Sequence, residues 1–148
     1  AAPMLFSNKD GLRFDVIEPS GAAPVLVAWG DETGKTSELV AGVRERHEQA
    51  GFDAIFDEMD RLSRDGARLL AAGDWEKLGA LMNICHGLLN AIGVSTPGLE
   101  RMVTLARQSG AVGAKLTGAG GGGSIVALCP GCLDEVRSAL RRAGYNTL

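Results

Sequence analysis

The chain has 148 residues, of which 45% are hydrophobic and 22% charged, and its formal net charge at pH 7 is −3. This length and composition suit one globular domain with its own core, whereas the small negative charge argues against a nucleic-acid-binding protein, which needs surplus basic residues to neutralise phosphates. Apolar runs stay well short of the ~20 residues that cross a bilayer, and three cysteines are too few for a disulfide scaffold, so we expect a cytoplasmic protein that does not span a membrane.

Two strands and two helices are predicted in the first half of the chain. Residues 12–18 alternate apolar and polar side chains, which is typical of a half-buried strand, and the apolar residues 24–29 indicate a buried strand. Helices are predicted over about residues 35–49 and 52–72, because apolar residues recur there at helical spacing. The residues expected on the buried side of the first helix are Leu39, Val40 and Val43.

Two further helices have recognisable starts. Asp74 is a typical N-cap residue, and the apolar stripe after it predicts a helix to about Ile92. Thr96 followed by Pro97 is the pattern of an N-cap and a first helical residue, which predicts a fourth helix to about Ser109. One flank of the third helix is small and polar, which permits close approach of either another structural element or a ligand. Its members are Gly79, Asn83, His86, Gly87 and Asn90.

The last part of the chain is predicted to contain two strands, a helix and a final edge strand. The two strands cover residues 112–117 and 123–129, the helix covers about residues 133–143, and the edge strand begins near Tyr145. Strands, then helices, then strands again indicate an α+β fold. We therefore expect one mostly antiparallel sheet with helices packed on one face.

A glycine-rich run joins the two predicted strands. Residues 115–124 read Lys-Leu-Thr-Gly-Ala-Gly-Gly-Gly-Gly-Ser, with glycines at 118 and 120–123. Glycine allows a positive φ and close backbone approach, and successive N–H groups in such a loop can form an anion site. A hairpin turn needs only one or two glycines, and ordering five of them costs conformational entropy. We therefore interpret the run as functional, with phosphate as the expected anion.

Residues 30–36, Gly-Asp-Glu-Thr-Gly-Lys-Thr, resemble a P-loop but do not match it. Three residues separate the two glycines where the motif requires four, and Asp31 and Glu32 would repel phosphate. The helix N-terminus that follows still offers Lys35 and Thr36 as contacts for an anion or a hydroxyl group.

Cys129-Pro-Gly-Cys132 has the spacing of a redox dithiol and lies between a strand and a helix, where a thiol pKa can be lowered. The same four residues also make an ordinary strand-to-helix turn, and the βαβ order of a thioredoxin-like domain is missing. The turn is therefore favoured, with a redox or non-catalytic module as the alternative of another class. A zinc site would need a second ligand pair, so we expect no metal ligands.

The run at 115–123 closely resembles the third conserved motif of the GHMP kinases, a superfamily of small-molecule kinases. Within that superfamily, Gly87–Ser95, the Thr96–Glu100 segment after it, and Ser37–Val43 look most like the mevalonate kinase family. The three stretches occur in family order, and the resemblance covers nearly the whole chain. Phosphomevalonate kinases and diphosphomevalonate decarboxylases are the alternatives with the same fold.

This resemblance implies that residues 1–148 are a ferredoxin-like GHMP C-terminal domain whose N-terminal nucleotide-loop domain lies outside the sequence. It implies an enzyme of isoprenoid precursor synthesis that uses ATP and Mg²⁺ to phosphorylate an alcohol, with its catalytic residues outside this chain. The isolated chain is then expected to be inactive. The implied partners are the protein's own N-terminal domain and a small-molecule alcohol, and a homodimer is left open.

The resemblance also implies roles for individual residues. The glycine-rich run, comprising Gly118, Ala119, Gly120, Gly121, Gly122 and Gly123, is implied to lie near the ATP phosphates. Thr36 is implied to contact the substrate, and Lys35 and His86 are the further candidates for that role.

Overall fold

A computed structural model of the chain describes residues 3–7, 11–31 and 36–148. Every predicted helix and strand is present, and one further strand precedes them. In chain order the elements are β1 (Met4–Ser7), β2 (Arg13–Val16), β3 (Val25–Trp29), α1 (Thr36–Ala50), α2 (Asp53–Ala72), α3 (Trp75–Ala91), α4 (Pro97–Gln108), β4 (Gly113–Thr117), β5 (Ser124–Leu128), α5 (Leu133–Arg142) and β6 (Asn146–Thr147).

The main sheet has four strands in the order β4-β5-β3-β6, and all neighbouring strands are antiparallel. The register aligns Leu26 with Ala127 and Ala28 with Ile125, and β4 continues the same face with Ala114 and Leu116. All six of these side chains are buried. Helices α4 and α5 pack on this face, which confirms the predicted α+β architecture.

Strand β3 is buried on one face only, which corrects the expectation of a fully buried strand. Leu26 and Ala28 are inaccessible, whereas Val25 and Trp29 are exposed. An antiparallel sheet covered on one side gives this alternation even when the strand sequence is continuously apolar.

The first two strands form a separate hairpin whose exposure also corrects the prediction. Strand β2 pairs with β1, with Phe6 opposite Phe14 and Met4 opposite Val16. All four residues of β2 are exposed rather than half-buried, because no element among the described residues covers the apolar face of this two-stranded sheet. The Phe6 and Phe14 rings pack on each other, with centroids 5.3 Å apart.

Helices α3 and α4 begin where the local sequence signals predict. The Asp74 side chain accepts a hydrogen bond from the Lys77 N–H, and Thr96 Oγ1 accepts one from the Leu99 N–H, which confirms both predicted N-caps. On α1, Val43 is half-buried as expected, whereas Val40 is 53% exposed and was wrongly assigned to the buried side. No helix in the described ranges is long and apolar enough to cross a membrane.

Candidate functional site

The glycine-rich run forms the loop between β4 and β5, and the φ angle is positive at all five of its glycines. The values are +80° at Gly118, +85° at Gly120, +72° at Gly121, +127° at Gly122 and +93° at Gly123. Residues that carry a side chain rarely adopt these backbone angles. The backbone conformation of the loop therefore favours glycine at these five positions.

Two of these glycines hold the loop against the rest of the domain. A Cβ atom on Gly120 would overlap the carbonyl oxygen of Val94, and one on Gly121 would overlap the Leu39 side chain. The Gly121 N–H also donates a hydrogen bond to the Val94 carbonyl at 2.8 Å. Close packing against α1 and the α3–α4 turn therefore explains Gly120 and Gly121.

No described residue packs against the remaining side of the loop. A Cβ atom on Gly118 or Gly123 would meet no described atom within 4 Å. This side borders a cavity of about 240 Å³ that also reaches the first residue of α1. The lining residues are Thr36, Thr117, Gly118, Ala119, Gly120, Gly122, Gly123 and Ser124. The structure thus places Thr36 and the glycine loop at one site, whereas Lys35 lies outside the described residues.

The chemistry of this cavity suits an anionic ligand. Its described lining contains hydroxyl groups on Thr36, Thr117 and Ser124 and includes no carboxylate. Glycine and alanine supply no side-chain donors, so the hydrogen-bond donors that the loop can offer an anion are main-chain N–H groups. Helix α1 begins at Thr36, and a helix N-terminus attracts negative charge through its dipole and free N–H groups.

The α3–α4 turn that holds the loop is itself anchored by α1. The Arg46 guanidinium donates hydrogen bonds to the Ile92 carbonyl, at 3.1 Å from Nε and 2.9 Å from Nη2. Gly93 follows with a φ of +77°, and Val94 then accepts from Gly121. Helix α1 therefore contacts the loop directly through Leu39 and supports it indirectly through Arg46.

The small-polar flank of α3 approaches another structural element, strand β4. A Cβ atom on Gly79 would lie 2.7 Å from the carbonyl carbon and oxygen of Val112. The Asn83 side chain donates to the Val112 carbonyl at 3.1 Å and accepts from the Ala114 N–H at 3.0 Å. Since β4 is an edge strand, these bonds satisfy main-chain groups that have no strand partner.

His86 binds the same edge of β4 as Asn83, at a position nearer the glycine loop. The ring is 3% exposed, and Nδ1 accepts from the Leu116 N–H at 3.2 Å. Nε2 lies 3.0 Å from Glu100 Oε1 but makes no hydrogen bond that meets the geometric criteria. Ser95 Oγ donates to the same carboxylate oxygen at 2.5 Å. His86 is absent from the described lining of the glycine-loop cavity, and its role as a substrate contact stays a prediction.

The charges around His86 come from α4 and β4. Burial lowers the pKa of His86, a shift that Glu100 opposes and that Arg107 and Lys115 reinforce. Arg107 also caps the strand edge, because its Nη2 donates to the Ala114 carbonyl at 2.7 Å. The neutral ring, with its proton on Nε2, is the form that accepts from Leu116 and faces Glu100.

The cysteine pair has the environment of a structural turn. Cys129 is inaccessible, and burial raises the pKa of its thiol to about 12. Burial also raises the pKa of Cys132, whose Sγ donates to the Gly110 carbonyl at 3.1 Å. Both thiols are free, and raised pKa values disfavour the thiolate that redox exchange requires. Within the described ranges, no group of three or more His, Cys, Asp or Glu side chains could hold a metal ion.

Three residues that support the site were not predicted from the sequence: Arg46, Val94 and Glu100. The Arg46 guanidinium donates to a main-chain carbonyl of the α3–α4 turn, and the Val94 carbonyl accepts from the loop. The Glu100 carboxylate on α4 contacts His86 on α3. None of these interactions follows a local spacing rule. The one usable signal was the small-polar flank of α3, which indicated a close neighbour without identifying it.

Comparison with known proteins identifies the family of the chain. Residues 67–146 match the family model described as GHMP kinases C terminal. Mevalonate kinase from Methanothermobacter thermautotrophicus is 46% identical over 120 residues, which is 80% of this chain and 40% of that protein. Mevalonate kinase from Pyrococcus horikoshii is 49% identical over 129 residues, or 82% of this chain and 38% of that protein.

Solved structures show the same relationship. The L. major mevalonate kinase structure superposes with a TM-score of 0.85 at 31% identity, covering 94% of this chain and 44% of that one. The Methanococcus jannaschii mevalonate kinase gives a TM-score of 0.70 at 32% identity, covering 84% of this chain and 38% of that one. The chain therefore spans about two fifths of the length of these curated relatives. The matched family model covers more than half of the chain, which accordingly belongs to the GHMP kinase C-terminal family.

Proposed function

We propose that this chain is the C-terminal part of an ATP-dependent kinase that phosphorylates the hydroxyl group of mevalonate. The observation that carries the proposal is the cavity shared by Thr36 and the glycine loop, in a chain 46% and 49% identical to two curated mevalonate kinases. The L. major structure that it resembles was solved in complex with R-mevalonate.

The residues at the cavity fit the phosphate groups of ATP. Gly118 and Gly123 leave the backbone open toward the cavity, and a phosphate can approach main-chain N–H groups where no Cβ intervenes. Thr36 adds a hydroxyl group at the positive end of α1. Kinase catalysis depends mainly on positioning and on stabilising charge at the transferred phosphoryl group, and these groups would contribute to both.

The reaction breaks the bond between the γ-phosphorus of ATP and its bridging oxygen, which leaves with ADP, and it forms a bond between that phosphorus and the alcohol oxygen. The hydroxyl proton would pass to a base outside the described part of the chain. The described residues hold no carboxylate cluster for Mg²⁺. A magnesium ion that accompanies the nucleotide would be held mainly by the phosphates and by water, as is usual for Mg²⁺ at such sites. A further domain of the same protein would supply the nucleotide loop and the catalytic groups, and the protein would act in isoprenoid precursor synthesis.

The direct test is an assay of the full-length protein with ATP and either R-mevalonate or phosphomevalonate. We expect ADP release and a phosphomonoester product, detected by ³¹P NMR, with mevalonate. Phosphorylation of phosphomevalonate alone would favour the phosphomevalonate kinase alternative, and no transfer to either compound would contradict the proposal.

A matched pair of threonine variants tests the site itself. Thr36→Val removes the hydroxyl group at nearly constant volume and should lower kcat/KM by about 10- to 100-fold, the usual cost of a hydrogen bond to a charged group. Thr36→Ser keeps the hydroxyl group and should retain most of the activity. Thr104→Val makes the same substitution at an exposed position on α4 and serves as the control for effects unrelated to the cavity. Equal activity of the Thr36→Val and Thr104→Val proteins would exclude Thr36 from the site.

A further inference from the structure

The strand that leads into the glycine loop and the middle of the loop are held by neighbouring parts of one polar cluster. Before the loop, the Leu116 N–H donates to His86 Nδ1 at 3.2 Å. Within the loop, the Gly121 N–H donates to the carbonyl of Val94 at 2.8 Å. Val94 is next to Ser95, and Ser95 shares Glu100 Oε1 with His86. The cluster thus joins α3, α4, β4 and the α3–α4 turn at the base of the loop.

His86 is the member that touches the strand directly. Leu116 is buried, and its N–H points away from β5 toward α3, so a buried amide would lose its partner without this ring. Because Nδ1 accepts from Leu116, the proton of the neutral ring is on Nε2, and Glu100 favours that arrangement from 3.0 Å. The bond from Leu116 therefore sets the tautomer of His86, and Glu100, which accepts a hydrogen bond from Ser95, lies against the Nε2 side of the ring.

Asn83 supplies an internal comparison on the same helix. Its side chain caps the same strand edge through the Val112 carbonyl and the Ala114 N–H. These groups lie farther along β4 from the loop, whereas Leu116 is separated from Gly118 by Thr117 alone. The two caps are thus chemically similar but differ in their distance from the cavity.

We propose that His86 is a positioning residue for the phosphoryl-transfer site, acting through the Leu116 N–H to hold the glycine loop beside the N-terminus of α1, with Glu100 and Ser95 as its orienting partners. The kinetic consequence of this role rests on the proposed function. It differs from a substrate contact, because His86 would act without touching ATP or the alcohol.

The test compares His86→Leu with Asn83→Leu in the full-length protein. His86→Leu should raise KM for ATP and lower kcat/KM by about 10-fold or more, since loss of correct placement is costly in catalysis. KM for mevalonate should change less. Asn83→Leu should lower stability but leave kcat/KM within about 3-fold of the wild type. His86→Asn, whose Oδ1 can replace Nδ1 as the acceptor, should restore most of the activity lost in His86→Leu.

Amide hydrogen exchange without substrate provides a readout that is independent of activity. Exchange at Leu116 and Gly121 should become faster in His86→Leu and remain slow in Asn83→Leu. Equal kinetic and exchange effects in the two leucine variants would overturn the positioning role. If His86→Leu does not fold, Ser95→Ala should show smaller changes of the same kind in KM for ATP and in amide exchange. Wild-type KM and exchange in Ser95→Ala would overturn the proposal. If the wild type phosphorylates no alcohol, the proposed function fails, while the exchange data still decide whether His86 holds the loop.

Discussion

A Cβ atom placed on Gly113 would lie 2.5 Å from the Cα atom of Gly79, so the backbones of β4 and α3 touch at this pair of glycines. The contact brings the small-polar flank of α3 against the strand edge, where Asn83 and His86 cap main-chain groups. Because β4 leads directly into the glycine loop, the placement of α3 also determines where the loop begins.

Gly79→Ala should separate α3 from β4. The added methyl group would collide with the Val112 backbone, and overpacking of this kind costs about 1–3 kcal/mol in the free energy of unfolding. Gly87→Ala on the same helix is the matched control, because its Cβ would meet no described atom within 4 Å. Gly87→Ala should be stabilising by about 0.5–1 kcal/mol through helix propensity. Urea denaturation of both variants measures the difference, and equal stability would contradict the close contact.

Gly120→Ala should be more damaging than Gly118→Ala. Both positions have a positive φ, +85° and +80°, so alanine is strained by about 1 kcal/mol at each. At Gly120 the methyl group would also overlap the Val94 carbonyl, whereas at Gly118 it would enter open space. We expect Gly120→Ala to lose about 1–3 kcal/mol more than Gly118→Ala in unfolding free energy. The reverse order would show that the loop is not seated on Val94.

The direction of a Cβ atom at Gly121 determines how a variant there should be interpreted. A larger side chain there would block ATP if Gly121 faced the phosphates, but its Cβ is directed at Leu39 of α1. Loss of activity in Gly121→Val would therefore report displacement of the loop from α1. Gly118 and Gly123, which border the open cavity, are the positions that test phosphate approach.

Stability should fall at acidic pH because His86 is buried in its neutral form. Burial lowers the pKa of His86 in the folded protein, with Glu100 opposing and Arg107 and Lys115 reinforcing the shift. As the pH falls below the unfolded-state value of about 6.5, the unfolded chain binds a proton before the folded chain does, so stability decreases. Above that pH the contribution of His86 is fully present.

His86→Asn should remove this dependence. The stability difference between the wild type and the variant should be constant above about pH 7 and should shrink below about pH 6.5, by at most 1.4 kcal/mol per pH unit. Denaturant unfolding at a series of pH values measures it. A difference that stays constant to well below pH 6 would mean that the ring does not resist protonation.

The cysteine pair should behave as buried thiols. Burial raises the pKa of Cys129 to about 12 and also raises that of Cys132, so both remain protonated at neutral pH. We expect iodoacetamide to modify Cys129 far more slowly in the native protein than in urea, and mild oxidants to form no reversible disulfide. Thiolate absorbance at neutral pH in the native protein would contradict this and revive the redox alternative.

Local signals predicted a large part of the fold correctly. Asp74 and Thr96 both cap helices, because an N-cap depends on a side chain and an N–H only three residues away. Predictions of burial were less successful: Val40 and the residues of β2 are exposed. Burial depends on what covers a side chain, and that neighbour is remote in the sequence.

For the candidate site too, the sequence predicted some residues and missed others. Its components, the glycine loop and Thr36, were identified from motif and resemblance, and the structure brings them to one cavity. The supports Arg46, Val94 and Glu100 were missed, because their contacts are made across elements and in part through main-chain atoms. The sequence likewise did not decide whether the small-polar flank of α3 contacts another structural element or a ligand.

The amino-acid sequence by itself determined the starts of α3 and α4, the order of strands and helices, and the loop positions that are free to adopt a positive φ. These depend on short-range sterics and hydrogen bonds, as the positive φ at each of the five loop glycines shows. Only the tertiary structure decided which side of the loop is packed and which is open. That outcome depends on where α1 and the α3–α4 turn meet the loop, with Leu39 and Val94 filling one side, because close packing selects contacts between residues far apart in the chain.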